Sequence, residues 1–410
     1  MNRRPVVAWA LYDFANSTFF AVIPATVYSK YYALVVVGNA HGEGDFWWGL
    51  AVTTSMAIVA LSAPPLGAIA DRTGVRKRLL FILTYVSVTA TALMATVGRG
   101  DRLWGWVLAV AATAAVEAAV VLYNAYLPEL VPPNRQGRLS AYGFAVGYLG
   151  SAVALGAALP FAMAGNNAGA FIITAVLFAV LALPAFLYLP RDRPAALGVA
   201  AAIPLGFSQA RATLRRILEM PPLRRFLVGY LCFEDGINTV VYFSSVFAGH
   251  TLGFTTAEVI QLYFLVQLSA LLGAWFWARP SDARGPKFVL VVTLIEWCIV
   301  VVGACAVQTK SQFFVVAILA GTGLGAVQAA SRTLMATLIP RGQEAGMFGF
   351  YALCGKTAAI FGPMVFGLAS WLSGGNQRIA ILVIGLFFVA ALVVIAGLDA
   401  GGPTGAKGRR

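Results

Sequence analysis

The chain has 410 residues, 60% of them hydrophobic and only 11% charged, with 29 Lys and Arg against 16 Asp and Glu and a mean hydropathy of +0.81. A soluble domain is normally about a quarter charged, so this composition excludes an ordinary soluble enzyme or binding domain and marks an integral membrane protein. The apolar stretches are continuous runs of helical length rather than the short alternating segments of a barrel, which sets the fold class as all-α.

Twelve such runs follow one another at about 7–35, 46–68, 79–98, 103–126, 141–163, 168–189, 223–248, 257–278, 288–307, 312–337, 346–371 and 378–398. Each is near the roughly 20 residues a bilayer requires, and the first is expected to be tilted or shorter than drawn. Arg3-Arg4 ahead of the first run resembles a signal-peptide n-region. Asp13 and Asn16 interrupt what would be its apolar core, so we read a transmembrane helix there. The one long connection, 190–222, separates spans six and seven. Within it Phe207, Ala210, Leu214, Ile217 and Leu218 recur at helical spacing opposite Arg211, Arg215 and Arg216, which predicts an amphipathic helix on the membrane surface, ended by Pro221-Pro222.

The turn between spans two and three reads Gly67-Ala-Ile-Ala-Asp71-Arg72-Thr-Gly74-Val-Arg76-Lys77-Arg78. Gly67 is expected to let two helices approach, Gly74 to supply a positive φ, and Asp71 to cap a neighbouring helix. The turn resembles the signature loop of the major facilitator superfamily. That resemblance implies a cytosolic gate in which the Asp71 carboxylate is held against the start of span eleven. The alternative is a solvated basic loop that only sets topology.

Placing the N-terminus and the even-numbered turns inside puts most Lys and Arg on that side. The outside retains Arg99, Arg102, Lys310 and Arg378, while Lys30 and Lys356 fall within spans. This bias predicts both termini in the cytosol. It also accounts for the +13 net charge without nucleic-acid binding. The chain repeats itself as well. Leu130-Val131-Pro132 after span four echoes Leu338-Ile339-Pro340 after span ten, Gly143-Phe144 echoes Gly349-Phe350, and Asp71, Gly74 and Arg76 (or Lys77) echo Asp282, Gly285 and Lys287. The expected fold is therefore twelve transmembrane helices in two pseudo-symmetric six-helix bundles, with the binding site between them near mid-membrane. The corresponding segments are 1–189, a linker at 190–222, 223–400 and a tail at 401–410.

Trp9-Ala-Leu-Tyr12-Asp13-Phe14-Ala-Asn16-Ser17, Tyr123-Asn124-Ala-Tyr126-Leu-Pro128-Glu129-Leu130, Phe233-Glu234-Asp235-Gly236, and the run from Ser331-Arg332 through Gly349-Phe350-Tyr351 to Gly355-Lys356 and Gly362-Pro363 narrow the family. Together they resemble the vacuole-effluxer-like branch of the major facilitator superfamily. That resemblance implies a secondary carrier related to a fungal protein linked with autophagy and vacuolar amino-acid release. The chain is shorter than the fungal members and has Glu234-Asp235 where that branch usually has an Asn-Asp or similar pair.

An ionisable group in hydrocarbon costs at least about 2.5 kcal/mol, so polar residues within spans are the site candidates. Asp13 and Asn16 share a face of span one, and Asn124 closes span four. Glu117 stands in span four without an evident partner, as a candidate proton carrier or a structural hydrogen-bonding group. Glu234, Asp235 and Asn238 cluster in span seven beside Gly236, where a break in the helix is expected. Lys356 in span eleven is expected to pair with Asp235 or Glu234, either as a switch or as a static packing contact. Gln328 and Arg332 share a face of span ten, where Arg332 either binds a substrate carboxylate or snorkels to headgroups. Glu296 in span nine reads as structural. The glycines Gly143, Gly147, Gly150, Gly349, Gly355, Gly362 and Gly367 read as helix contacts.

Cys232, Cys298, Cys305 and Cys354 lie in apolar runs and match neither a disulfide framework nor a metal site, and His41 and His250 stand alone. We therefore expect no metal, no cofactor and no enzymatic activity, since neither a phosphate-cradling loop nor a catalytic constellation is present. The functional expectation is a monomeric secondary carrier of a bacterial inner membrane, working by alternating access. Its substrate would be a small amino-acid-like zwitterion, exported, with protons as a candidate coupling ion and the bilayer as its surroundings. Efflux of a drug-like amphiphile is the rival within transport. A non-transporting receptor or assembly factor on the same fold is the rival of another class.

Overall fold

The computed structural model describes residues 3–131, 133–192, 197–339 and 344–398. Within these, the side chains of residues 3, 71, 128, 133–138, 140–142, 144–145, 278, 282 and 344–349 fall outside the description. The described residues are helical throughout, connected by short turns. Among the described residues eleven helices are long and apolar enough to cross a membrane: Arg4–Val37, Glu43–Ala70, Arg76–Thr96, Arg102–Asn124, Val146–Met163, Asn167–Tyr188, Thr256–Ser281, Pro286–Ala306, Lys310–Leu338, Phe350–Leu372 and Gln377–Ala396. Pro221–Leu252 is the twelfth, and its apolar character is diluted by Glu234, Asp235 and Asn238 in its middle. These are spans one to twelve in chain order, with Pro221–Leu252 as span seven.

The first span is neither short nor straight. Pro24 has no N–H to give, so the helix Arg3–Val22 breaks at residues 23–26, resumes at Val27–Tyr31 and ends in a π-helical turn, Tyr32–Val37. Its inner part is fixed by rings. Trp9 stacks on Tyr123 of span four with centroids 4.7 Å apart, and Tyr12 does so at 5.0 Å while its hydroxyl bonds Thr84 at 2.7 Å. Span five then lies close against span one through small residues. A Cβ at Gly150 would stand 2.3 Å from the Phe14 carbonyl oxygen, which explains why only glycine fits there.

The duplication seen in the sequence carries into geometry. Val131 and Ile339, which follow spans four and ten, are both extended. Gly74 and Gly285 both have positive φ, 65° and 85°, after spans two and eight. The lysine that follows each glycine then reaches the end of the last span in its own half. Lys77 Nζ donates to the Leu189 carbonyl at 2.9 Å, and Lys287 Nζ donates to the Leu398 carbonyl at 2.6 Å.

The linker contains the expected amphipathic helix, Val199–Leu218, with Pro221 at the first turn of span seven rather than inside the linker helix. It docks on span two: Ala202 packs with Ala68 and Ile69, and a Cβ at Gly206 would meet the Pro64 carbonyl at 2.3 Å. Phe207, Leu214 and Leu218 stay exposed on the same helix, while Ile217 is buried.

Two details of the signature loop differ from expectation. A Cβ at Gly67 would meet nothing, so Gly67 is not the site of a close helix approach. Arg76 is not a solvated basic residue but is 3% exposed. It bonds Glu129 at 2.8 Å and the Ala125 carbonyl at 3.1 Å, and its guanidinium lies 3.8 Å from the Tyr126 ring centre. Arg72 and Arg78 are exposed, and the amide of Lys77 is capped by Asp192 at 3.0 Å. The expected Asp71 latch falls on a side chain outside the described residues.

Candidate functional site

Spans one, four, seven, ten and eleven bring their polar residues together. We call the membrane side where span one begins and span twelve ends the near side. Asp13, Glu117, Glu234, Gln328 and Lys356 lie roughly 7 to 13 residues, about 10–20 Å, from the near end of their helices.

The pairing of these groups differs from the sequence-based expectation. Lys356 pairs with neither Asp235 nor Glu234. Its Nζ lies 2.5 Å from Glu117 Oε2, joining span eleven to span four across the two halves. Glu117, which had no evident partner, is therefore the counter-ion of Lys356, and it is 4% exposed. Lys356 sits in the last turn of the helix Glu344–Thr357, where the dipole also favours a cation.

The two acids of span seven have their own partners. Glu234 Oε1 accepts from Gln328 Nε2 of span ten at 2.7 Å. Asp235 Oδ1 accepts from the Gly362 amide at 2.8 Å. That amide belongs to the first turn of Phe361–Leu372, the second half of a span eleven interrupted between Thr357 and Phe361. A carboxylate at a helix N-terminus satisfies a free N–H and meets the positive end of the dipole. The broken helix is thus span eleven. Span seven runs unbroken, and Gly236 serves packing instead: a Cβ there would meet the Phe388 ring at 2.8 Å. Asn238 lies one turn on, half-buried.

Asn16 Nδ2 donates to Asp13 Oδ1 at 3.4 Å, and the other Asp13 oxygen lies over Gly143 and Gly147 of span five. Arg332 is exposed, yet its charge acts on Asp13 and Tyr148 of one half and on Glu234 of the other. It therefore lies within electrostatic reach of carboxylates from both halves. Lys356 acts on the same two acids. Asn124 ends span four in an exposed position on the near side. The result is a polar cluster between the halves, with carboxylates contributed by both halves and the cations Arg332 and Lys356 by the second half. Among the described residues no cluster of His, Cys, Asp or Glu could hold a metal ion.

The far side is closed between the halves. Ser29 and Ser245 hydroxyls meet at 2.7 Å, Trp48 Nε1 donates to the Tyr242 carbonyl at 2.9 Å, and Lys30 Nζ donates to the Phe254 carbonyl at 2.5 Å. Deeper in, Thr53 Oγ1 donates to the Ile360 carbonyl at 2.8 Å. Asp45 of span two, fully buried, accepts from Ser370 of span eleven at 2.5 Å and from Gln377 of span twelve at 2.8 Å. Sequence reasoning missed Asp45 because a carboxylate in the first turn of a span reads as a solvated interfacial group. Its one signal was proximity to Gly42 and Gly44, which allow tight packing at that end.

The model of the "Vacuole effluxer Atg22 like" family matches residues 50–402. The chain belongs to that family. It is 27% identical over 408 residues to an uncharacterized MFS-type transporter, YxiO, of Bacillus subtilis, covering 95% of this chain and 93% of that protein. It is 28% identical over 185 residues to autophagy-related protein 22 of Kluyveromyces lactis, but spans only 37% of that longer protein. Among solved structures, the nucleoside transporter NupG superposes with a TM-score of 0.72 at 16% identity, covering 97% of this chain and 99% of that one. A D-xylose-proton symporter does so at 0.69 and 16%, covering 96% and 97%. The chain is thus a multi-pass membrane transporter of the major facilitator type, with the twelve-helix fold of that superfamily.

Proposed function

We propose that this Atg22-like transporter is a secondary carrier that exports an amino-acid-like zwitterion by alternating access. The Glu117–Lys356 ion pair carries this reading. A chamber that holds Arg332 and Lys356 beside Asp13, Glu117 and Glu234 can take a substrate carboxylate on its cations and a substrate ammonium on its acids. Such a substrate competes with the ion pair for both of its members at once. An uncharged sugar offers no such exchange, because opening the pair would leave the buried Glu117 carboxylate without its counter-ion.

The near side, rich in Arg and Lys at Arg72, Arg76, Lys77, Arg78, Arg191 and Arg211, is assigned to the cytosol, with both termini there. The conformation described is then inward-facing, sealed on the outside by Asp45, Ser370 and Gln377. The bacterial inner membrane is the proposed location, in keeping with the full-length likeness to the Bacillus protein. Residues 1–189 and 223–400 are the two moving bodies, with 190–222 joining them, 401–410 as a tail and the Asp71 loop as the cytosolic gate. One chain supplies the whole chamber, so the monomer is the proposed working unit, and a non-enzymatic one. Protons are the proposed counter-ion, released or taken up where the carboxylates exchange partners.

The test is a counterflow screen in proteoliposomes across the common amino acids, with and without a pH gradient, and with a nucleoside and xylose as comparison solutes. The proposal expects saturable movement of at least one amino acid. Movement of nucleoside or xylose alone would refute the zwitterion assignment.

A further inference from the structure

Away from the chamber, on the outer face of the second half, Glu296 stands midway along span nine. Its Oε1 accepts a hydrogen bond from Thr322 Oγ1 of span ten at 2.6 Å. Among the described residues no Lys, Arg or His is paired with it. A carboxyl group in hydrocarbon costs at least about 2.5 kcal/mol at the membrane centre, and one threonine does not supply a counter-charge.

The group is not enclosed by protein. Spans eight and ten pack tightly because Gly273 and Gly325 allow backbone contact, a Cβ at Gly325 standing 1.8 Å from the Ala270 carbonyl. Span nine flanks span ten on its other side. A cleft of about 400 Å³ remains over span ten between spans eight and nine, with Phe276, Trp277, Ile295, Ile299 and Leu319 as walls and Glu296 and Thr322 as its polar floor. Phe276 is 65% exposed and Ile299 56%, so the cleft opens outward at membrane depth, toward lipid. The volume falls within the range of small-molecule sites, mostly apolar with a few convergent polar groups.

We propose that this cleft is a second, lipid-facing binding site for a lipophilic amine, whose ammonium pairs with Glu296 while its hydrocarbon body lies between Phe276 and Ile299. An ammonium–carboxylate pair gains most where the surroundings are apolar, whereas an alcohol offers only a neutral hydrogen bond and an anion is repelled. The site shares no lining residue with the chamber and stands whether or not the chamber carries amino acids.

The full-length chain in lipid nanodiscs, labelled with a photoreactive dodecylamine, tests the assignment. Label is expected on peptides containing Phe276 and Ile295–Ile299. Excess dodecylamine should displace it, and equal dodecanol or dodecyl sulfate should not. Glu296→Gln should lower labelling by at least about tenfold, the equivalent of losing roughly 1.4 kcal/mol of binding. Ile295→Trp, which fills the cleft and leaves the carboxylate alone, should lower it as much and serves as the second variant if Glu296→Gln does not fold. Equal labelling of the variants, or equal displacement by dodecanol, overturns the proposal.

Discussion

Lys356 Nζ of span eleven stands 2.5 Å from Glu117 Oε2 of span four, so one ion pair bridges the two halves of the transporter inside its chamber. The pair is asymmetric: Glu117 is 5% exposed at its side chain and Lys356 33%. Removing the lysine leaves a buried carboxylate without its counter-ion, which is the costlier loss. Lys356→Met should therefore reduce counterflow by at least about tenfold, more than Glu117→Gln does. The double swap Glu117→Lys with Lys356→Glu should recover part of the lost rate. A swap no better than either single variant argues against the pair.

The buried Asp45 carboxylate ties span two to spans eleven and twelve at the closed side. Asp45→Ala removes the shared acceptor, and hydrogen bonds to a charged group are each worth about 1.5–3 kcal/mol. The equilibrium should move toward the state open on the far side. In a cysteine-free background, Ser245→Cys, which is 1% exposed in the closed form, should react with an impermeant maleimide on the order of ten times faster when Asp45 is Ala. Unchanged labelling would remove Asp45 from the gate.

Gly362 offers a packing test with its own control. A Cβ there would lie 2.0 Å from Thr239 Oγ1 and 2.7 Å from Asp235 Oδ1. Overpacking of this kind costs about 1–3 kcal/mol, and Gly362→Ala should lower the thermal midpoint in detergent accordingly. Gly67→Ala, made in open space within a helix, should leave the midpoint unchanged or raise it, since Ala is favoured over Gly by about 1 kcal/mol.

Much of the architecture was readable from the residues, and the reasons are physical. Length, apolar runs and charge asymmetry place spans, and the echo of Asp71, Gly74 and Arg76 (or Lys77) in Asp282, Gly285 and Lys287 predicts a duplication that recurs in the bonds of Lys77 to Leu189 and of Lys287 to Leu398. Pairings across the halves were not readable. Glu117 and Lys356 are separated by most of the chain, and nothing local distinguishes Glu117 from Asp235 as the lysine's partner. The break in span eleven was equally hidden. Gly236 looked like the hinge because it lies beside two acids, yet the helix is interrupted opposite it, where Asp235 holds the Gly362 amide.

Arg76 and Arg78 separate structure from topology within one loop. Both add positive charge, but Arg76 is 3% exposed and holds Glu129 and the Ala125 carbonyl, whereas Arg78 is exposed. Arg76→Ala should destabilise the protein by about 1–3 kcal/mol, and Arg76→Lys should recover only part of that because an ammonium lacks the planar fork. Arg78→Ala should change the thermal midpoint little. Equal effects of the two alanines would contradict the inward role of Arg76.

The central claim is that the chamber is exposed alternately to the two sides. Spin-label distances test it in one measurement, with Arg99→Cys and Gln308→Cys spanning the far side and Arg78→Cys and Arg284→Cys spanning the near side, all in a cysteine-free background. Substrate identified by counterflow should lengthen the far-side distance as the near-side distance shortens. Two distances that stay fixed, or that change in the same direction, would contradict the account.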